Sequence, residues 1–397
     1  MIKTSRFLIG IKMNTFELDS KYVAQTYRRF PVEIVSGKGA VAYDANGKKY
    51  IDMGSGIATN TFGYADSEWV AAVTEQLNLY SHTSNLYYTS PCVKLAELLC
   101  TRTGMCRVFF GNSGAEANEG AIKTARKYSF DKYGEGRAKI VTLVNSFHGR
   151  TITTLAATGQ DVFHTTFMPF TEGFCHVPAN DTDTMLDAMT DDVCAVMLEF
   201  VQGEGGVNPL DKEYVTAIAA ACEEKDILLI ADEVQTGNGR TGTLYAFEQF
   251  GVKPDIISTA KGLGGGLPIG AVILGEKVKD TLSAGSHGST FGGNPACAAG
   301  ALNVISRLDE AFLAEVRAKS EYIFTRLANM KGVLSVSGLG LMIGIKAEKP
   351  TPEIIAEGIE RGVLFLSAKD KLRLLPPLNI TYAEIDEALA ILAEILE

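Results

Sequence analysis

Two spacings of apolar residues alternate along this chain. Short runs, apolar at almost every position, recur at 107–110, 139–144, 193–199, 227–231, 255–258 and 269–274. Ile227-Leu228-Leu229-Ile230-Ala231 is the plainest of them. A run without polar alternation predicts a strand buried on both faces, as in a parallel sheet. Between these runs lie segments with helical character. Ser113 and Glu116 stand at capping-box spacing and predict a helix to about residue 132. Residues 68–80 behind Ser67, 93–101 behind Ser90-Pro91, and 212–224 predict three more. Strand and helix alternating through short connections predict a parallel sheet with helices on its faces.

The two ends of the chain are patterned differently. Runs at 32–35, 40–43 and 49–51, with the turn signal Asp44-Ala45-Asn46-Gly47, predict a small antiparallel meander. Pro295 suits the start of one long helix to about 317. Beyond it, strand patterns at 333–336, 341–345, 362–366 and 371–377, then a final helix from about 382, predict a smaller α+β domain. The expected fold class is α/β. Residues 1–60 and 306–397 would form the small domain, around a large domain of 61–305 with a mostly parallel central sheet. No internal repeat or low-complexity tract is present.

Composition narrows the function classes. The chain has 397 residues, 46% of them hydrophobic and 21% charged, which are globular proportions with ample material for a large core. A formal net charge of −10 argues against general affinity for nucleic acid or anionic membrane. Seven scattered cysteines without a CxxC suit a reducing cytoplasm rather than a disulfide framework. The five histidines show no paired-ligand spacing, so no metal is expected. Phe7-Leu8-Ile9-Gly10-Ile11 is too short for a signal-peptide core, no stretch reaches membrane-spanning length, and Met13 is a candidate natural start.

The candidate chemistry sits at strand ends. The run 227–231 stops at Asp232, and the run 255–258 leads into Thr259-Ala260-Lys261-Gly262. Ligands of open α/β sheets bind beyond the carboxyl ends of strands. An aspartate and a lysine so placed suit pyridoxal 5′-phosphate: the lysine as Schiff-base partner, the aspartate holding the pyridine nitrogen protonated. A capping aspartate and a solvated lysine are the plain alternative. Gly111-Asn112-Ser113-Gly114-Ala115 joins a strand to a helix start, where free N–H groups and the helix dipole favour a phosphate; an ordinary helix cap reads equally well. Phe147, His148 and Arg150 at another strand end could stack on a ring and fork onto a carboxylate. Gly237-Asn238-Gly239-Arg240-Thr241-Gly242 matches GxGxxG, but five residues separate it from its strand and only a short segment, 244–250, follows. That context reads as a polar loop with glycine turns, leaving a nicotinamide-dependent oxidoreductase as a remote alternative.

Taken together, the motifs SHTSNLYY (81–88), FFGNSGAEANE (109–119), NSFHGRT (145–151), QGEGG (202–206), LLIADEVQTGNGRTG (228–242), PDIISTAKGLGGG (254–266), HGSTFGGNP (287–295) and LRLLPP (372–377) stand in one order. In that order they resemble the class III (fold type I) pyridoxal-phosphate-dependent aminotransferases, most closely the acetylornithine aminotransferases. The resemblance runs from about Val32 to Ile380. It implies transamination of N2-acetyl-L-ornithine with 2-oxoglutarate in a ping-pong scheme, within arginine biosynthesis. It also implies a cytoplasmic homodimer with shared active sites.

Carried over position by position, Lys261 would be the Schiff-base lysine and proton shuttle, and Asp232 would pair with the pyridine nitrogen. Gln235 would reach the ring hydroxyl, while Val234 and Phe147 would cover the two ring faces. Ser113, Gly114 and Ala115 would form the phosphate cup, with Thr290 reaching the phosphate of the neighbouring subunit. Arg150 would grip a substrate carboxylate and Ser289 would help line that site. Arg373 would bind the α-carboxylate of glutamate or 2-oxoglutarate, and Glu204 would cover it in the other half-reaction. Two departures from the family pattern are Phe200, where proline is usual after Glu199, and Gly63-Tyr64-Ala65-Asp66-Ser67, where Gly-His-x-His-Pro is usual. Ile57 falls where ornithine aminotransferases tend to carry a tyrosine, which favours a capped amine. Ornithine, succinylornithine, succinyl-diaminopimelate and 4-aminobutyrate remain neighbouring donors. A non-catalytic relative would be expected to lack Lys261 or Asp232, and both are present.

Overall fold

The computed structural model describes residues 14–397. The apolar stretch at 7–11 and the candidate start Met13 lie outside the described residues. At the centre is a seven-stranded sheet in the spatial order Arg107–Gly111, Gly270–Leu274, Ile256–Thr259, Leu228–Asp232, Val193–Leu198, Lys139–Leu143, Phe174–Val177. From Ile256–Thr259 to Phe174–Val177 every pairing is parallel. Gly270–Leu274 runs antiparallel to both of its neighbours. The α/β class with a mostly parallel sheet is therefore as expected. Val193–Leu198 and Leu228–Asp232 are buried at every position, which explains their unbroken apolar runs. Gly270–Leu274 is buried throughout as well, and full burial leaves no mark of strand direction in the sequence.

The helix after Arg107–Gly111 spans Gly114–Tyr133 and buries an Ala-rich stripe, Ala117, Ala121 and Ala125, whose small side chains allow close approach to the sheet. The expected helix at 68–80 is Ser67–Leu79, capped by Asp66, whose side chain accepts from Trp69 N–H at 2.9 Å, rather than by Ser67. The single long helix expected from Pro295 to about 317 is instead two helices, Pro295–Arg307 and Glu310–Ala328. Asp309 causes the break: it accepts from Phe312 N–H at 2.8 Å and starts a new helix, as an N-cap aspartate does. Helices Thr182–Ala188 and Thr351–Arg361 were not anticipated, although Asp181 caps the first and Pro352 lies in the first turn of the second.

The antiparallel meander near the N-terminus comprises Ile34–Lys38, Val41–Asp44 and Lys49–Asp52. Its last strand pairs in parallel with Val363–Leu364, so the two ends of the chain share one sheet. A second antiparallel sheet has the order Val333–Leu339, Met342–Ala347, Lys371–Leu374, Leu366–Ala368 and carries Arg373. Among the described residues, no helix is long and apolar enough to cross a membrane.

Candidate active site

Asp232 ends its strand, and Lys261 follows the adjacent parallel strand by two residues. Asp232 is in register with Ser258, so the two groups emerge at the same sheet edge. A cavity of about 250 Å³ opens there, and Gly114, Ala115, Phe147, Arg150, Asp232, Val234, Gln235 and Lys261 all line it. A larger groove of about 590 Å³ lies elsewhere, around Arg137, Asp192 and Lys225. Arg137 Nε and Nη2 already donate there to the carbonyls of Val193, Lys225 and Asp226, as a structural arginine does, so volume alone does not mark a site.

The Asp232 carboxylate is held from three sides. Its Oδ2 accepts from Asn118 Nδ2 at 2.8 Å and lies 2.7 Å from His148 Nδ1; its Oδ1 accepts from Val234 N–H at 3.0 Å. A carboxylate only accepts, so His148 Nδ1 carries the proton. Burial pulls the His148 imidazole down, but the Asp232 hydrogen bond and charge, with Glu199, outweigh it and hold the imidazole above its ordinary range. Glu199 accepts from Phe147 N–H at 2.8 Å and Gly203 N–H at 3.1 Å, which fixes the loop bearing Phe147. Burial raises its carboxyl above the usual glutamate range. Lys261 is shifted the other way, because burial lowers its amine below the ordinary lysine range.

The phosphate-site candidate is a helix start. Ser113 Oγ accepts from Glu116 N–H at 3.2 Å and donates to the Glu116 carboxylate at 3.1 Å, but that carboxylate takes the Asn112 N–H at 2.9 Å in place of the Ser113 N–H, so only half of the expected capping box forms. The N–H groups of Gly114 and Ala115 precede any intrahelical acceptor and sit at the positive dipole end. A Cβ on Gly114 would stand 2.6 Å from Val234 Cγ1, so only glycine lets the helix approach this closely.

Arg373 lies just beyond Gln235. Its Nη1 donates to Glu204 Oε1 at 2.5 Å and to Gln235 Oε1 at 3.2 Å. The arginine side chain is 4% exposed and that of the glutamate 29%. Burial raises the Glu204 carboxyl, but the charge and hydrogen bond of Arg373 outweigh this and hold it below the usual range. Arg150 is exposed, with its guanidinium carbon 3.8 Å from the Phe163 ring centre and 5.4 Å from that of Phe147.

Ser113, Glu204, Ser289, Thr290 and Arg373 do not line the cavity of their own chain. Ser289 Oγ accepts from Asn112 Nδ2 and Gly292 N–H, each at 3.0 Å, and Thr290 is exposed. Sequence reasoning gave no role to Asn118 or Glu199 and none specific to His148, yet all three border the cavity. The available signals were an acid closing a buried run at Glu199, and Asn118 one helical turn after Gly114. The GxGxxG stretch is a buried loop followed only by the short helix Phe247–Phe250. Arg240 Nη1 within it donates to Leu341 O at 3.1 Å and Pro376 O at 2.5 Å, so the loop ties to the C-terminal segment and lacks the long helix a dinucleotide needs.

Ser55, Gly56, Ile57 and Ala58 all have positive φ, a left-handed turn costing about 1–2 kcal/mol for each non-glycine residue. Ser55 Oγ holds it by donating to Leu375 O at 2.6 Å, and Ser55 N–H donates to Asp52 Oδ1 at 2.9 Å. Of the two departures from the family pattern, Phe200 is buried with its ring 5.0 Å from that of Phe250 and does not line the cavity. Tyr64 OH donates to Asp52 Oδ2 at 2.8 Å, and Asp66 pairs with Arg307 at 2.6 Å.

These groups suit one kind of occupant. A buried carboxylate partners a protonated ring nitrogen, an aromatic and a valine border a flat ring, a buried amine meets an aldehyde, and a helix start accepts a phosphate. That set fits pyridoxal 5′-phosphate.

Comparison with known proteins agrees. The family model described as aminotransferase class-III matches residues 22–396. An acetylornithine aminotransferase of Haemophilus ducreyi is 52% identical over 383 residues, covering 96% of this chain and 98% of that protein. One from Methanocaldococcus jannaschii is 45% identical over 388 residues, covering 96% and 98%. Among solved structures, an N-acetylornithine aminotransferase of Stenotrophomonas maltophilia superposes with a TM-score of 0.82 at 36% identity, covering 95% of this chain and 97% of that one. The ornithine aminotransferase of Toxoplasma gondii superposes with a TM-score of 0.92 at 31% identity, covering 97% and 96%.

Proposed function

The chain belongs to the class III aminotransferases, and from that premise we propose that it transfers the terminal amino group of N2-acetyl-L-ornithine to 2-oxoglutarate, yielding N-acetyl-L-glutamate 5-semialdehyde and L-glutamate. Pyridoxal 5′-phosphate, when bound, supplies the electron sink that lets a proton leave the amino-bearing carbon. Asp232, held by Asn118 and His148, keeps the ring nitrogen protonated. Gly114 and Ala115 would hold its phosphate, and Val234 and Phe147, which line the same cavity, would shield its ring from water. The Lys261 amine, which burial makes hold its proton less tightly than an ordinary lysine, serves as the base that moves the proton.

The observation that carries the reading is the Arg373–Glu204 pair beside the Lys261 cavity. A transaminase must admit two unlike substrates through one pocket. With Glu204 on Arg373, one carboxylate receptor, Arg150, stays open; with Glu204 withdrawn, there are two, as a dicarboxylate requires. Ile57, 42% exposed and apolar, stands where ornithine aminotransferases tend to carry a tyrosine; at that position it would offer no partner to a free α-amino group, which favours the acetylated donor.

A homodimer with shared sites is part of this proposal. Leu86, Tyr87 and Tyr88 are 88%, 71% and 100% exposed, and Phe291, next to Thr290, is 60% exposed. Consecutive apolar residues that exposed mark a protein-binding surface, and a partner covering it would bring Thr290 toward a second cavity. The seven free cysteines suit a cytoplasmic location.

The test is a single half-reaction. The yellow protein is mixed separately with N-acetyl-L-ornithine, L-ornithine and 4-aminobutyrate, without keto acid, and loss of the cofactor band is followed. Fastest bleaching by N-acetylornithine is expected. Faster bleaching by another amine would move the donor, and none with any amine would sink the donor class.

A further inference from the structure

Lys261 adopts φ +44°, in the left-handed region where a residue with a side chain is strained. The peptide before it and the carbonyl of the residue after it are gripped by side chains from elsewhere. Asn238 Nδ2 donates to Ala260 O at 3.1 Å and to Thr259 Oγ1 at 3.0 Å. Thr61 Oγ1 donates to Gly262 O at 2.7 Å. Both side chains are buried. The bonds are not needed to satisfy the carbonyls, which already accept within the turn: Leu263 N–H reaches Ala260 O at 2.9 Å, and Gly265 N–H reaches Gly262 O at 3.2 Å. They add a constraint on direction instead. The packing is close as well, since a Cβ on Gly262 would stand 3.0 Å from Thr61 Oγ1. The clamp joins separate parts of the chain. Asn238 belongs to the loop that follows Asp232, and Thr61 O accepts from Leu378 N–H at 2.8 Å, beyond the strand carrying Arg373.

We propose that Asn238 and Thr61 are positioning residues for Lys261, holding the Ala260 and Gly262 carbonyls, one before and one after it, so that the turn keeps the strained orientation that aims its amine at the reacting carbon. The proposal rests on the role given to Lys261 above. A lysine side chain has four rotatable carbons, so a fixed origin for that chain limits where the amine can go. Released from the clamp, residue 261 relaxes toward negative φ, which swings its Cβ and the amine away. Misplacement of about 1 Å costs on the order of 10²-fold in rate.

The experiment uses the holoenzyme and the variants Thr61→Val, Thr61→Ser and Asn238→Ala. Single-turnover bleaching by the best donor and the pH titration of the cofactor absorbance are recorded, with thermal melting as a control for folding. Thr61→Val is expected to slow bleaching by about 10–100-fold, with little change in the donor concentration for half-maximal rate, and to shift the absorbance titration. Asn238→Ala should do the same, and Thr61→Ser, which keeps the donor, should restore both readouts. Wild-type rate and titration in Thr61→Val would overturn the proposal, as would a serine variant as slow as the valine one. Borohydride reduction of the wild-type protein with peptide mapping separates the two levels: cofactor fixed to another lysine sinks the role of Lys261, whereas cofactor on Lys261 with unaffected variants sinks only the clamp.

Discussion

Replacing Glu204 with glutamine tests the proposed two-substrate switch, because it removes the charge and nearly keeps the shape. In the structure an incoming α-carboxylate must displace Glu204 from Arg373, which it grips at 2.5 Å. A hydrogen bond to a charged group is worth about 1.5–3 kcal/mol. The glutamate side chain is 29% exposed, so screening reduces that to about 1–2 kcal/mol. With the competitor neutral, 2-oxoglutarate should half-saturate its half-reaction at a concentration lower by about 5–30-fold. The donor half-reaction gains nothing, since N-acetylornithine is not proposed to use Arg373, and it should slow as Arg373 is left charged and unpaired beside the pocket. Stopped-flow measurement of the two half-reactions gives both numbers separately. Unchanged 2-oxoglutarate affinity, or equal changes in both halves, would refute the argument that Glu204 masks Arg373.

Two other outcomes follow from the charged groups. Lys261→Ala should lower transamination by at least about 10²–10⁴-fold, without lowering the melting temperature of the cofactor-free protein. The folded state holds the lysine proton less tightly than the unfolded chain, so below the ordinary lysine range this group costs folding free energy, and its removal relieves the cost; a large fall in melting temperature would contradict the burial argument. The Glu204 carboxyl lies below the usual range when folded, so its contribution is present above the unfolded glutamate pKa and is lost as pH falls through the folded value. The stability difference between wild type and Glu204→Gln should therefore shrink on acidification from pH 6 toward 3, and a difference constant across that range would count against the ion pair.

What could be read in the sequence was local, and what could not was made by distant closure. Buried runs ending in Asp232, or leading to Lys261, announced the strands and the carboxylate and amine that close on one cavity, because full burial forces an unbroken apolar pattern. The same burial hid the reversal of Gly270–Leu274, whose five buried positions look alike in either direction. Asp309 split one expected helix in two because a single capping side chain outcompetes continuation, and an aspartate inside a helical pattern is easily read as a surface residue. The half-formed capping box at Ser113 is the more instructive departure. Glu116 has the right spacing, yet it bonds to Asn112, whose amide also donates to Ser289 Oγ. A tertiary partner 177 positions away therefore shares in a choice that looked local. The Arg373–Glu204 pair spans 169 positions and the Thr61–Gly262 bond 201, so no window of neighbouring residues contains either. The cavity is where these closures meet: Gln235 touches the ion pair, Lys261 follows one clamped peptide and precedes the other, and Asp232 is held by a helix and a loop from different parts of the chain. Strand ends supply the carboxylate and the amine of the cavity, and contacts between distant segments set their directions. Substitutions at Thr61, Asn238 or Glu204 should accordingly change rates and substrate preference more than they change stability.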